Sequence, residues 1–214
     1  MYWRLTMAFL MNFDQLVKKY QLDVKGVIHI GAHYGDEVHD YVNCGIQDIT
    51  LFEPLSENFN ILKKNMMGLN ANIDAYQVAL GREEKTEVMY LSSNETQSSS
   101  ILKPKEHINQ YPHITFERTE EVEVKTLDSF DIQNANFINI DVQGYELEVF
   151  MGGKETLKRI DYIHSEVNRD EMYENNAFIA DLDDFLAEYG FERVETYWPD
   201  ETKVGWGDAF YIKK

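Results

Sequence analysis

Two rhythms of apolar and polar positions alternate along the chain. Short unbroken apolar runs read as strands covered on both faces, and stretches with an apolar residue every third or fourth position read as amphipathic helices. VKGVIHIG (24–31) is a strand, DEVHDYVNCG (36–45) a short helix closed by Gly45, and DITLFEP (48–54) a strand stopped by Pro54. SENFNILKKNMMGL carries Phe59, Leu62 and Met66 at helical spacing, and DAYQVAL (74–80) is a third strand. The middle is less regular: KTEVMYLS and EEVEVKTL read as extra strands flanking SSNETQSSSILKP, a polar, serine-rich loop that reads either as a lid or as a disordered turn. The rhythm returns with the strand NFINIDVQ (136–143), the stretch YELEVFMGGKETLKR broken at Gly152-Gly153, the strand IDYIHSEVN (160–168) and the helix FIADLDDFLAEYG ending at Gly190. FERVETYW and WGDAFYIKK finish the chain as an antiparallel hairpin. This alternation predicts an α/β fold, with right-handed crossovers, a mostly parallel sheet and helices on both faces. The opening MYWRLTMAFLMNF and the following DQLVKKY form an N-terminal helical cover (residues 1–22) over a sheet edge.

A length of 214 residues predicts one domain, 1–214, and 43% hydrophobic residues with 12 Gly and 4 Pro describe an ordinary globular chain. Formal charge is −18, from 20 Lys+Arg against 38 Asp+Glu. That balance argues against a nucleic-acid partner and against docking on an anionic membrane, since both need basic surface. No run approaches the roughly 20 apolar residues of a membrane span, so no membrane insertion is expected. The single cysteine, Cys44, excludes an intramolecular disulfide and a zinc cluster and makes a reducing, cytoplasmic setting the default. The N-terminus carries no cleavage pattern, and it leaves room for the chain to be one domain of a larger protein.

In an open parallel sheet, ligands bind beyond the carboxyl ends of the strands near the switch point. Four groups of residues reach that edge. GAHYG (Gly31, Ala32, His33, Tyr34, Gly35) follows the first strand; its glycines permit a sharp turn and close backbone approach. The G-x-G-x-x-G dinucleotide fingerprint is absent, which weighs against a nicotinamide-dependent oxidoreductase. Glu53 ends the second strand, 22 residues after Gly31, where a carboxylate can accept both hydroxyls of a ribose. Asp141 closes the apolar strand before Gly144; its alternative is to cap the helix beginning near Tyr145. On 160–168, His164, Glu166 and Asn168 share one face, so Asp141 and Glu166 are expected as neighbours on adjacent strands. Asp141, Glu166 and Asn168 are hard oxygen donors suited to Mg²⁺ or Mn²⁺. His29 lies inside an apolar strand and is read as a hydrogen-bonded core residue. No G-x-S-x-G, C-x-x-C or H-E-x-x-H motif is present.

VIHIGAHYGDEVHDY, ITLFEPLSENFNIL, VKTLDSF, FINIDVQGYELEVFMGG, the strand with Glu166 and GDAFYIKK, in that order, resemble the FkbM family of S-adenosylmethionine-dependent methyltransferases. The pieces span residues 27–213. His33 stands where many members have Asn, and Tyr34 where they have a small or aliphatic residue. The resemblance implies a Rossmann-like class I methyltransferase fold with a seven-stranded sheet. It also implies O-methylation of a hydroxyl, foremost on a sugar such as a deoxyhexose in a glycan or glycoside. Under it, GAHYG wraps the methionine part of the cofactor and Glu53, beside Pro54, holds the ribose. Ala79 and the loop residues Ser99 and Ser100 lie beside the adenine, and Asp141 with Val142 approaches the reacting end. Asp141, Glu166 and His164 become the catalytic candidates, through a general base or through a divalent ion. A non-catalytic nucleoside-binding or interaction domain is the remaining alternative.

Overall fold

The computed structural model describes residues 11–199 and 204–214. Among them, β1 (Gly26–Ile30), β2 (Asp48–Phe52), β3 (Asn72–Tyr76), β7 (Phe137–Ile140), β8 (Tyr162–Asn168), β9 (Phe191–Tyr197) and β10 (Trp206–Lys213) form a seven-stranded sheet. Its order is β3-β2-β1-β7-β8-β10-β9. Only β10 runs antiparallel to its neighbours. The chain winds outward from β1 to β3 and then restarts at β7 on the other side of β1. The switch point therefore falls between Ile30 and Ile140, which pair across it.

Every residue of β1 is buried, as a strand covered on both faces demands. One face carries Val27, Ile49, Leu51, Phe137 and Phe210 against α1 (Phe13–Tyr20), α2 (Val38–Asn43) and α3 (Ser56–Asn65). The other carries Ile28, Ile138, Ile140 and Ile163 against α5 (Glu146–Met151), α6 (Lys154–Leu157) and α7 (Ile179–Ala187). The expected N-terminal cover is a face cover, not an edge cover. The Phe13 ring of α1 meets Tyr41 at 4.8 Å and Phe137 at 5.1 Å, both edge-on, in the middle of the sheet. Asn12 caps α1 by accepting from the Gln15 N–H, and Gln21 ends it in the left-handed region. The first ten residues of the expected cover lie outside the described residues.

The predicted third strand, 74–80, divides between two sheets. Residues 72–76 stay on the main sheet as an edge strand, and β4 (Ala79–Leu80) pairs with β6 (Arg118–Lys125). With β5 (Lys85–Leu91) antiparallel to β6, these make a three-stranded sheet in the order β4-β6-β5. Leu55, Ala79, Leu91, Val122 and Val124 form its own small core. The serine-rich loop leaves and re-enters this sheet through paired hydrogen bonds between Tyr90 and Ser100, at 2.8 and 3.1 Å. A short α4 (Glu106–Gln110) follows it.

Candidate active site

The loop after β1 is built for close backbone approach. Gly31 has φ +82°, and a Cβ there would sit 1.9 Å from the Asp141 carbonyl oxygen, so only glycine fits where the two strand ends cross. Gly31 and Ala32 both donate to the Phe52 carbonyl, and the Asp141 N–H donates to Ile30. His33 follows at φ +47° and Gly35 at φ +78°, so GAHYG turns back on itself. The Tyr34 ring lies against that of His33, centroids 3.8 Å apart.

Glu53 is buried beneath this loop. It accepts the His33 N–H at 3.0 Å and the Leu55 N–H at 2.9 Å, with the Asn58 amide at 3.3 Å. Burial pushes its carboxyl up to about 7, against the pull of those donors. Beside it, Pro54 is half-buried and Ala79 buried. The serine-rich loop folds over GAHYG: the His33 imidazole meets the Glu95 carbonyl at 2.8 Å, and Thr96 donates to Asn58 at 3.0 Å. Ser99 and Ser100 turn inward. The Ser99 hydroxyl accepts the Ser92 N–H, and Ser100 donates to the Gln143 carbonyl at 2.8 Å.

Beyond β7, Asp141 does not cap α5, whose N-cap Tyr145 has no side-chain cap hydrogen bond. Its carboxylate instead shares the Gln143 amide with Glu166, at 2.7 Å to Asp141 and 2.5 Å to Glu166. Tyr173 steadies that amide, donating its hydroxyl to Gln143 Oε1 at 2.7 Å. Glu146, which the sequence reading missed, completes the group. Carboxylate oxygens of Asp141, Glu146 and Glu166 all lie within 4.8 Å of one another. Glu146 is wholly buried; its Oε1 accepts the Val142 and Gly144 N–H groups at 3.1 Å each. Burial lifts Glu146 to about 7, and burial followed by the Asp141 charge lifts Glu166 well above the usual carboxylate range. Asp141 is also raised, first by desolvation at the packed strand ends, against the pull of the Gln143 amide; its residue stays open to water, which moderates the effect.

His164 shares the face of β8 with Glu166 and lies 3.2 Å from Asp208 of β10, a second residue the sequence reading missed. Asn168 is 1% exposed, and among the described residues neither of its amide atoms has a hydrogen-bond partner. Glu37 faces the same corner, raised to about 7 by burial and then by the Asp141 charge. His29 is the core histidine expected, between Tyr41 (3.3 Å) and Asn139 (3.4 Å), with burial lowering it to about 3. A hollow of about 590 Å³ lined by Lys25, Asp48, Asn136 and Arg159 opens at the opposite, amino edge. Asn136 there is already spent on Lys25, Asp23 and Asp161, a clamp between strand starts.

A family model described as the methyltransferase FkbM domain matches residues 29–193. The chain belongs to the FkbM methyltransferase family. It is 33% identical over 96 residues to the 2-O-methyltransferase NoeI of Sinorhizobium fredii, an alignment covering 43% of this chain and 40% of that protein. It also resembles the solved FkbM methyltransferase of Methylobacillus flagellatus, with TM-score 0.59, 12% identity, and coverage of 89% of this chain and 44% of that one. The chain thus spans less than half the length of either FkbM-type relative. The magnesium protoporphyrin IX methyltransferase ChlM of Synechocystis, solved with bound S-adenosylmethionine, matches with TM-score 0.57, 9% identity, and coverage of 94% and 76%. A Streptococcus pneumoniae protein described as a tRNA (m1A22) methyltransferase matches at TM-score 0.56 and 14% identity, over 93% and 68% of the two chains. These likenesses fix the fold as class I methyltransferase.

Proposed function

We propose that this FkbM-family protein is an O-methyltransferase acting on a hydroxyl of a sugar, with a deoxyhexose in a glycan or glycoside as the first acceptor to test. The observation that carries the reading is the convergence of GAHYG, Glu53 and the Asp141–Glu146–Glu166 group at one sheet edge beside His164. The name of the Sinorhizobium relative, a 2-O-methyltransferase, supports oxygen as the acceptor atom. A net charge of −18 favours an acceptor without a phosphate backbone, although the fold is shared with proteins described as RNA methyltransferases.

The residues fit the cofactor: a loop whose first glycine excludes a Cβ lies beside a buried carboxylate at the end of β2. When bound, S-adenosylmethionine supplies a methyl group on a positive sulfonium. Gly31, Ala32, His33, Tyr34 and Gly35 would cradle its methionine part, Glu53 with Pro54 its ribose, and Ala79, Ser99 and Ser100 its adenine side. Asp141 and Val142 would border the reacting end. Acidic groups here favour the cation over the neutral product. A sugar hydroxyl is a weak acid, so a base must take its proton as oxygen attacks carbon. His164, whose Nε2 lies 3.2 Å from Asp208, is the candidate for that base, with Glu166 and Asp141 as the other candidates, and such a base contributes roughly 10²–10⁴ in rate. Holding the two reactants in line contributes about 7–11 kcal/mol more. On the same reading 1–214 is a single methyltransferase domain acting in the cytoplasm, alone or within a larger glycan-building protein.

The test is calorimetry with S-adenosylhomocysteine, then mass spectrometry of a panel of deoxyhexose glycosides incubated with the cofactor. A single added methyl on one hydroxyl is expected. Binding of S-adenosylhomocysteine with no methylation of any hydroxyl acceptor would return the non-catalytic reading.

A further inference from the structure

We propose that Asp141, Glu146 and Glu166 hold one divalent cation of the Mg²⁺ or Mn²⁺ class. The function proposed above bears only on what the ion would do, namely draw an acceptor hydroxyl to the site and acidify it. Where it sits rests on geometry alone.

Three carboxylate oxygens within 4.8 Å of one another are a hard, anionic donor set on the scale of a small divalent ion's coordination sphere. Two further observations point to a ligand. Glu146 is 0% exposed, and while its Oε1 is saturated by two backbone N–H groups, its Oε2 has no hydrogen-bond partner among the described residues. A wholly buried carboxylate oxygen facing nothing is a rare condition that a cation relieves. Asn168, two residues along β8 on the Glu166 face, is buried with both amide atoms unpartnered among the described residues. Within the group, the described contacts include no cationic side chain: the donors are the Gln143 amide, shared by Asp141 and Glu166, and the two backbone N–H groups on Glu146 Oε1. A dication would take over that duty. The donor set differs from the one read in the sequence: Glu146 takes the place of Asn168 as the third ligand.

The competing account is a closed hydrogen-bonded group in which Gln143 bridges Asp141 and a protonated Glu166, with no ion. Paramagnetic resonance titration of the chelator-treated full chain with Mn²⁺ separates the two. One saturable site per chain that Mg²⁺ displaces is expected, with affinity falling at least about tenfold in Glu146→Gln and in Glu166→Gln, since affinity follows the count of charged ligands. The exposed Glu174→Gln should bind as wild type does. Glu166→Gln carries the test if Glu146→Gln does not fold, as read by circular dichroism. Absence of a saturable site, or equal affinity in wild type and Glu166→Gln, overturns the proposal. Calorimetry with S-adenosylhomocysteine on the same samples keeps the two readings apart. Cofactor binding without Mn²⁺ binding sinks only this one, and Mn²⁺ binding without cofactor binding sinks only the function.

Discussion

Gly31→Ala is the sharpest probe of the strand crossing at the switch point. The position has φ +82°, and an added Cβ would stand 1.9 Å from the Asp141 carbonyl oxygen and 2.9 Å from its carbon. An L side chain in the left-handed region costs about 1–2 kcal/mol. Displacing packed backbone adds roughly 1–3 kcal/mol, as overpacking does elsewhere. Together the loss is about 2–5 kcal/mol, and at about 2–4 °C per kcal/mol for a chain of this size Tm falls by roughly 4–20 °C. Gly45→Ala is the matched control: φ is +86° there, but nothing lies within 4 Å of its Cβ. It should lose only the conformational share, about 1–2 kcal/mol. Thermal melts of the two variants, with S-adenosylhomocysteine calorimetry, isolate the contact. Gly31→Ala should also bind the product at least tenfold more weakly, and Gly45→Ala should bind it normally. Equal Tm and equal affinity in the two variants would refute the argument that the crossing at Asp141 shapes the cofactor loop.

Two further outcomes are expected. Glu146 has a folded-state value of about 7 against an ordinary 4.5, so the folded state keeps a proton that the unfolded chain releases. Its stabilising share is present below about pH 4.5 and lost as pH rises through 7. Without metal, the Tm of Glu146→Gln minus that of wild type should therefore climb between pH 5 and 8, by an amount on the order of a few kcal/mol in stability. A flat or falling difference would contradict the burial argument. Phe13→Ala removes a ring packed at 4.8 Å on Tyr41 and 5.1 Å on Phe137 and should cost about 3–5 kcal/mol in a denaturant melt. A loss under about 1 kcal/mol would mean that α1 is not held by this face.

The central strands were legible because burial on both faces leaves unbroken apolar runs, as in GVIHI and FINI. Glu53 and Asp141 were legible for the complementary reason: a carboxylate at the end of such a run has nowhere to be but the sheet edge. The strand read at 74–80 was misjoined because its alternation continues through Gln77-Val78. What divides it is pairing with Val124 and Lys125, a partner 45 residues away in the register Ala79 to Val124. Glu146 escaped notice because it lies on the first turn of a helix, where an acid ordinarily serves the helix dipole. Only the tertiary turn at Gly144, with φ +95°, swings it back onto Val142. Asp208 could have been found. An antiparallel last strand starts at the edge where the parallel strands end, so the head of β10 belongs to the site by topology alone.

On the function proposed above, the serine-rich loop bears on how acceptor choice can diversify. Its ends are clasped by the Tyr90–Ser100 pair on the small sheet, while its tip reaches the cofactor loop through Glu95 and Thr96. The segment between is thus a closed ring, independent of the register of the seven-stranded sheet. Doubling its length costs only about 0.6 kcal/mol in closure entropy. Sequence drift there can resize the mouth of the site while the strands that carry the chemistry stay untouched, so the clasp makes this loop an interchangeable part.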